Sequence, residues 1–142
     1  MNGSATVVRS GCMAKDADMI LSEFILLGIG GKELSEENAA QTAKALNIIQ
    51  PDFIRVHATG IKLESKLGEF VRDGSFTLQS EEEIVIEQKL FLQQLHEMDS
   101  YYVNEHIVNL LLEVRGNLRT EKQEMLSTID RFLTLPPDER LL

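Results

Sequence analysis

The first segment that could do chemistry is a glycine-rich stretch placed directly after an apolar run. Phe24 to Leu27 are all apolar, and Gly28, Gly30 and Gly31 follow within four residues. An apolar run that stops at glycine is typical of a buried parallel strand. Glycine at the junction with a helix lets the backbone approach a ligand with no Cβ in the way. The spacing fits neither a dinucleotide fingerprint nor a P-loop, so the glycines could equally serve only the conformation of the turn.

The second candidate is a strand with one mixed face, predicted over residues 53–59. Successive side chains of a strand point to opposite faces. One face would hold Ile54, Val56 and Ala58, and the other Phe53, Arg55, His57 and Thr59. An arginine that points inward is costly unless it is paired or faces a ligand. For His57 a hydrogen-bonded buried imidazole is the commoner interpretation, and a pocket residue is the alternative.

The remaining chemistry-bearing residues are few. Cys12 is the only cysteine, so this chain cannot form an internal disulfide or supply the several thiolates of a cluster or structural zinc site. A single cysteine also fits a reducing compartment, and we expect a cytoplasmic protein. His96 and Glu97 are expected at the surface.

Composition limits the class of protein. The 142 residues suit one domain but are short for a complete (βα)8 barrel, which needs about 250. The formal net charge is −9 and no cluster of Lys and Arg occurs, which argues against binding to nucleic acid or to an anionic membrane. No apolar run approaches the ~18 residues of a membrane span, and the first residues lack the pattern of a secretory signal.

The elements that would position these residues alternate between strand and helix. Residues 1–13 have no clean period and are expected to be a loose lead-in, disordered or left from cloning. A strand over residues 21–28 should be followed by a helix that Ser35 caps and that ends before Pro51.

The second half is expected to continue in the same way. After the strand at residues 53–59, a connector over 60–79 leads to a capping box at Ser80 and a long helix. Residues 100–103 are a candidate third strand. Residues 107–114 predict a helix that is apolar nearly all round, and Thr120 predicts a second capping box. This order favours right-handed βαβ units and a parallel sheet.

With these residues identified, the chain resembles the C-terminal half of a radical S-adenosylmethionine (radical SAM) Fe–S oxidoreductase. Four stretches carry the resemblance: residues 21–31, 51–56, 106–111 and 133–140. The family fold is a full or partial (βα) barrel, so residues 14–142 would be about half of a TIM-like barrel. In that family residues 27–30 would match the fifth barrel strand, which packs on the adenine of the cofactor, and residues 53–57 the sixth. The expected cofactor-binding residues are Leu27, Gly28, Ile29, Gly30, Arg55 and His57.

The chain departs from that family in its cysteines. Family activity requires three cysteines, spaced Cys-x3-Cys-x2-Cys, to hold a [4Fe–4S] cluster whose open iron binds S-adenosylmethionine. Only Cys12 is present, so the resemblance implies a fragment whose parent carries the motif upstream of residue 1. The parent would cleave S-adenosylmethionine reductively to a radical that abstracts hydrogen from a substrate. The fragment alone would be inactive, would hold no metal, and would have the missing N-terminal half as its partner.

Two other interpretations remain open. The chain could be a complete, non-catalytic acidic interaction domain whose glycine turn is purely structural. It could also be a nucleotide-binding module, although no Lys-Ser/Thr pair follows the turn. Under the fragment interpretation, open strand edges should promote self-association. The substrate and the catalytic residues are not assigned.

Overall fold

Residues 3–140 are described by a computed structural model and form one mixed α/β unit. Its sheet has four strands: β1 (Ser22–Leu27), β2 (Phe53–Ala58), β3 (Tyr101–Val103) and β4 (Gly116–Asn117). The strands lie in the order β1-β2-β3-β4. The first three are parallel, and β4 is antiparallel to β3. The predicted α/β class and the three parallel strands are therefore confirmed, but this open sheet does not by itself establish a barrel fragment.

Five α-helices occur within the described residues, followed by a short 3-10 turn at Pro137–Glu139. They are α1 (Gly3–Asp16), α2 (Ser35–Ile49), α3 (Lys66–Asp73), α4 (Glu81–Gln94) and α5 (Leu118–Thr134). Helices α2 and α4 pack against each other and against β1, while α5 packs on α4 and β4. No helix in residues 3–140 is long and apolar enough to cross a membrane.

The core lies between these helices and one face of the sheet. Ile25 and Leu27 of β1 point into it, as do Ile54 and Val56 of β2. The helices contribute small and large apolar side chains to the same core. The largest fully buried side chains, from helices, strands and loops together, include Tyr102, Phe91, Ile54, Leu92, Leu95 and Met98. The Tyr102 hydroxyl accepts a hydrogen bond from Gln88 at 3.1 Å, and burial raises the pKa of the phenol far above its usual range. The alternation predicted for β2 is confirmed.

The loose conformation expected for residues 1–13 is wrong for residues 3–13, which are helical. Gly3–Asp16 form α1, which packs on α2, while residues 1 and 2 lie outside the described range. Gly11 allows the two helices to approach, since a Cβ there would lie 2.8 Å from Ile49. Lys15 also pairs with Asp52 at 2.8 Å, and Asp52 accepts the backbone N–H of Leu21. The pairing with Lys15 lowers the pKa of the Asp52 carboxyl.

The helix expected over residues 107–114 is also wrong. That segment is an irregular loop between β3 and β4, and Ile107 is 91% exposed. Asn104 stabilises the loop by donating hydrogen bonds to the carbonyls of Leu110 and Leu111. Side-chain amides of this kind compete with helical backbone bonds, so the apolar run does not become a helix.

The predicted helix starts have mixed outcomes. The capping box at Ser80 is confirmed, with Glu83 as its second member. Ser35 is the first residue of α2 rather than its cap, and its hydroxyl donates to Glu87 instead. Asn117, not Thr120, caps α5 by accepting the N–H groups of Arg119 and Thr120. The predicted connector over residues 60–79 contains α3, which Ser65 caps.

Candidate functional site

The face of the sheet opposite the core is open. Phe24 is 65% exposed and Leu26 is 46% exposed, although they alternate along β1 with the buried Ile25 and Leu27. Arg55 is the neighbour of Phe24 on β2, and His57 is the neighbour of Leu26. Tyr101 of β3 is 40% exposed on the same face. Apolar, aromatic and basic side chains therefore share a surface that no described helix covers.

A cavity of about 270 Å³ lies on this face, near the carboxyl ends of the parallel strands. Its walls come from all three parallel strands and from the loop after β3: Phe24, Arg55, Val56, His57, Val103, Glu105 and His106. The carboxyl ends of parallel strands are where α/β folds usually place ligands. This cavity is the candidate site.

Two imidazoles form the centre of the cavity. The rings of His57 and His106 lie 4.3 Å apart between centroids, with 37° between their planes. Phe24 approaches His57 from the other side, at 5.4 Å between ring centroids. Partial burial lowers the pKa of His57, and the neighbouring His106 lowers it further, because two positive imidazoles would repel each other. Near neutral pH, His57 is therefore mainly a neutral imidazole.

Arg55 supplies the fixed positive charge of the site. Its guanidinium lies 5.7 Å from the centroid of the Phe53 ring. Glu105, the carboxylate that lines the same cavity, pairs instead with Arg115 at 3.3 Å. Within residues 3–140 no carboxylate lies within 4.0 Å of the Arg55 guanidinium. The cation is half-buried and has no anionic partner from the described chain.

The loop after β3 is held against β2 by one side chain, Asn109. Its Oδ1 accepts the N–H of Ala58 at 2.8 Å, and its Nδ2 donates to the carbonyl of Val56 at 2.6 Å. The amide thereby makes the two bonds that a neighbouring parallel strand would make where β3 has already ended. A further bond from Nδ2 to Asn104 at 2.8 Å fixes its orientation. This clasp keeps the loop that carries His106 against the strand that carries His57.

The backbone conformation of the turn after β1 largely explains why glycine occupies three of its positions. Gly28 and Gly31 have φ values of +83° and +63°, which L side chains rarely adopt. Gly30 has an ordinary φ, but a Cβ there would lie 2.9 Å from the carbonyl oxygen of Leu34. Leu27 points into the core, and Ile29 is 41% exposed at the tip. Gly28 and Gly31 are buried and Gly30 is half-buried, so these residues present mainly the Ile29 side chain to solvent.

A buried carboxylate lies under this turn. Glu87 of α4 is fully buried, and its two oxygens accept three hydrogen bonds. The donors are the N–H of Gly28 at 3.1 Å, Asn38 Nδ2 at 2.7 Å and Ser35 Oγ at 2.6 Å. Gln79 continues the network by donating to Ser35 Oγ at 2.9 Å. Glu87 therefore joins the end of β1, the start of α2 and the middle of α4.

The structure brings together only some of the predicted site residues. Arg55 and His57 line the cavity, whereas Leu27, Gly28, Ile29 and Gly30 form the separate turn at the end of β1. Sequence reasoning missed His106, Asn109 and Glu87 as contributors. His106 lies in one of the stretches of family resemblance, but its apolar neighbours indicated a helix. Nothing in the sequence marks Glu87 as buried among the other glutamates of α4.

The residues present do not fit a [4Fe–4S] cluster, but they fit S-adenosylmethionine in part. One thiolate cannot replace three, so this chain does not fit a [4Fe–4S] cluster by itself. The turn offers S-adenosylmethionine an apolar surface at Ile29 and the half-buried backbone of Gly30. It offers few free donors, because the N–H of Gly28 bonds to Glu87 and that of Gly31 bonds to the carbonyl of Gly28. The described turn therefore suits packing against a flat ring better than binding a phosphate.

Comparisons with family models, with curated proteins and with solved structures found no match for this chain.

Proposed function

We propose that this chain is part of a radical SAM Fe–S oxidoreductase and supplies one wall of its cofactor and substrate pocket. The observation that carries the proposal is the open, mixed face of three sequential parallel strands, with helices packed on the opposite face only. In a (βα) barrel the helices lie outside and the strand ends line the site. Phe24, Arg55 and His57 would face the interior, and the missing part of the parent would cover them.

Each part of the chain would have its own role in the parent enzyme. In the parent, the cluster-bound cofactor would supply the radical chemistry. Ile29 and the turn around it would pack against the adenine, while Arg55 and His57 would bind and orient groups inside the barrel. Glu87 would hold the turn in place from below through its bond to Gly28. Asn109 would hold the loop that closes the side of the pocket.

The coding sequence upstream of residue 1 tests this proposal directly. We expect an open reading frame that continues upstream and encodes Cys-x3-Cys-x2-Cys. Its absence from the full-length transcript would overturn the proposal.

Anaerobic reconstitution of this chain with iron and sulfide gives a second test. We expect no stoichiometric cluster, and a stoichiometric cluster with a charge-transfer band would contradict the fragment interpretation.

A variant of the parent tests the role of the turn. Gly30→Val is a poor probe, because any Cβ there would crowd the Leu34 carbonyl and distort the turn. Ile29→Ala removes exposed apolar surface without that conflict. We expect weaker S-adenosylmethionine binding by calorimetry with an unchanged iron content, and unaltered affinity would assign the turn a structural role only.

A second candidate is a non-catalytic acidic interaction domain. The antiparallel strand β4 favours it, because β4 pairs with β3 at the edge where a barrel would add another parallel strand. An acidic surface with net charge −9 would then select a basic partner. A transcript that begins at Met1, together with a stable monomer in solution, would support this candidate over the first.

A further inference from the structure

We propose that the cavity on the open face binds the carboxylate of a small ligand with an apolar body, with Arg55 as the anchor. This inference goes beyond the proposed function and does not depend on the parent's reaction. It rests on the juxtaposition of Arg55, His57 and His106 with the exposed ring of Phe24 around one cavity.

The Arg55 guanidinium has no counter-charge from the described chain. Glu105, the one carboxylate that lines the cavity, is engaged by Arg115. Arg55 is therefore left with an aromatic contact to Phe53 and no anionic partner from the described chain. A half-buried cation in this position is stabilised by an anion that enters from solvent. Because the protein carries a net charge of −9, distant surface charges would repel that anion, and direct contacts must hold it.

The imidazoles beside Arg55 supply additional hydrogen-bond donors. His106 Nδ1 accepts a long hydrogen bond of 3.4 Å from the N–H of Val108. In the neutral ring the proton then resides on Nε2, which can donate to a ligand. The His57 ring lies against the tilted ring of His106 and is confined between it and Phe24. The site thus combines a guanidinium with imidazole N–H donors.

The guanidinium, the exposed aromatic ring and the cavity volume together define the class of ligand. The planar fork of a guanidinium matches a carboxylate with two parallel bonds. Phe24, at 65% exposure, offers a ring face on which an apolar or aromatic body can rest. The cavity of about 270 Å³ lies below the usual ~300–1,000 Å³ of drug-sized sites, so the ligand should be small. Benzoate has this combination of a carboxylate and a compact flat body.

The test is an NMR titration of the whole chain with benzoate, at a protein concentration low enough that light scattering finds a monomer and no second copy covers the open face. It follows the imidazole signals of His57 and His106 and the side-chain Nε–H of Arg55. Benzyl alcohol, which has the same body without the charge, is the first control, and inorganic phosphate is the second. We expect saturable shifts at all three residues with benzoate only. Equal binding of benzyl alcohol would overturn the role of charge, and equal binding of phosphate would overturn the assignment to carboxylates.

Matched variants complete the test. Arg55→Gln should weaken benzoate binding at least about tenfold, the size expected from losing a charge-assisted hydrogen bond. Arg55→Lys keeps the positive charge without the planar guanidinium, and its affinity for benzoate should lie between those of wild type and Arg55→Gln. Arg131→Gln removes an exposed cation on α5 that does not line the cavity and should leave the affinity within about twofold. Unchanged affinity in Arg55→Gln, with the wild-type spectrum otherwise retained, would overturn the proposal.

Discussion

The carboxylate of Glu87 accepts a hydrogen bond from the backbone N–H of Gly28 at 3.1 Å, although 59 residues separate them in the chain. The bond joins the middle of α4 to the first residue after β1. Two further donors, Ser35 and Asn38, converge on the same carboxylate from α2. A buried charge is tolerated only when hydrogen bonds replace the water it has lost. The position of the glycine turn is therefore set from inside the molecule.

Replacing Glu87 should destabilise the fold and loosen the turn. Glu87→Ala removes the acceptor of the buried Gly28 N–H and of the part-buried Ser35 and Asn38 donors, and we expect a loss of about 3 kcal/mol in the free energy of unfolding. Glu87→Gln keeps one acceptor oxygen and should cost less. Urea unfolding followed by circular dichroism measures both. Glu124→Gln on the exposed part of α5 is the control and should change stability by less than about 0.5 kcal/mol. Equal stability of Glu87→Ala and wild type would contradict the network.

The Asn109 clasp makes a local prediction. Asn109→Ala removes the acceptor for the Ala58 N–H, so we expect that amide to exchange with solvent much faster while the other β2 amides remain protected. Hydrogen exchange followed by NMR is the measurement. Asn47→Ala is a matched control, because the Asn47 side chain also makes two backbone bonds, to Gln94 and His96, far from β2. Unchanged protection of Ala58 in Asn109→Ala would show that the clasp is not needed.

The strands and the open face could be predicted because their signals are local. Apolar runs locate β1 and β2 to within two residues, and simple alternation places Arg55 and His57 opposite the core. These predictions need only the two-residue period of a strand and the conformational demands of glycine and proline. The N-terminal half of the site could therefore be identified from the sequence.

The rest depends on contacts between distant residues. The apolar run after β3 indicates a helix by composition, but Asn104 and Asn109 use their amides to fold it as a loop against β2. The first helix contains two glycines, two serines and two valines, which are weak helix formers, and its packing on α2 depends on the approach allowed by Gly11. His106 joins the cavity only because this loop folds back. No local pattern encodes these outcomes.

Lowering the pH below neutral should destabilise the protein through His57. Its pKa is lowered in the folded state, so the unfolded chain binds the proton more tightly. The contribution of this group to stability is complete above its usual pKa of 6.5 and is lost as the pH falls from there towards the folded pKa. Urea unfolding from pH 7.5 to 5 measures the slope. His57→Gln should reduce the loss of stability relative to wild type, and His96→Gln, an exposed control, should not. Identical slopes in all three proteins would exclude this role of His57.

The open face should also drive self-association of the isolated chain. Phe24 and Leu26 expose apolar surface on β1, which pairs only with β2 among the described strands and so has a free edge. Burying about 400 Å² of apolar surface would contribute on the order of 10 kcal/mol before the entropic costs of association. We therefore expect a dimer or higher oligomer by light scattering coupled to size exclusion.

A pair of charge variants locates the contact. Phe24→Lys combined with Leu26→Lys places two charges on the open face and should give a monomer throughout a dilution series to low micromolar concentration. Ile48→Lys changes a side chain that is 56% exposed on α2 and should leave the oligomer intact. A wild-type chain that stays monomeric over the whole series would mean that the open face does not pair with itself. That result would also favour the interaction-domain candidate, because the exposed face would then await a partner other than a second copy.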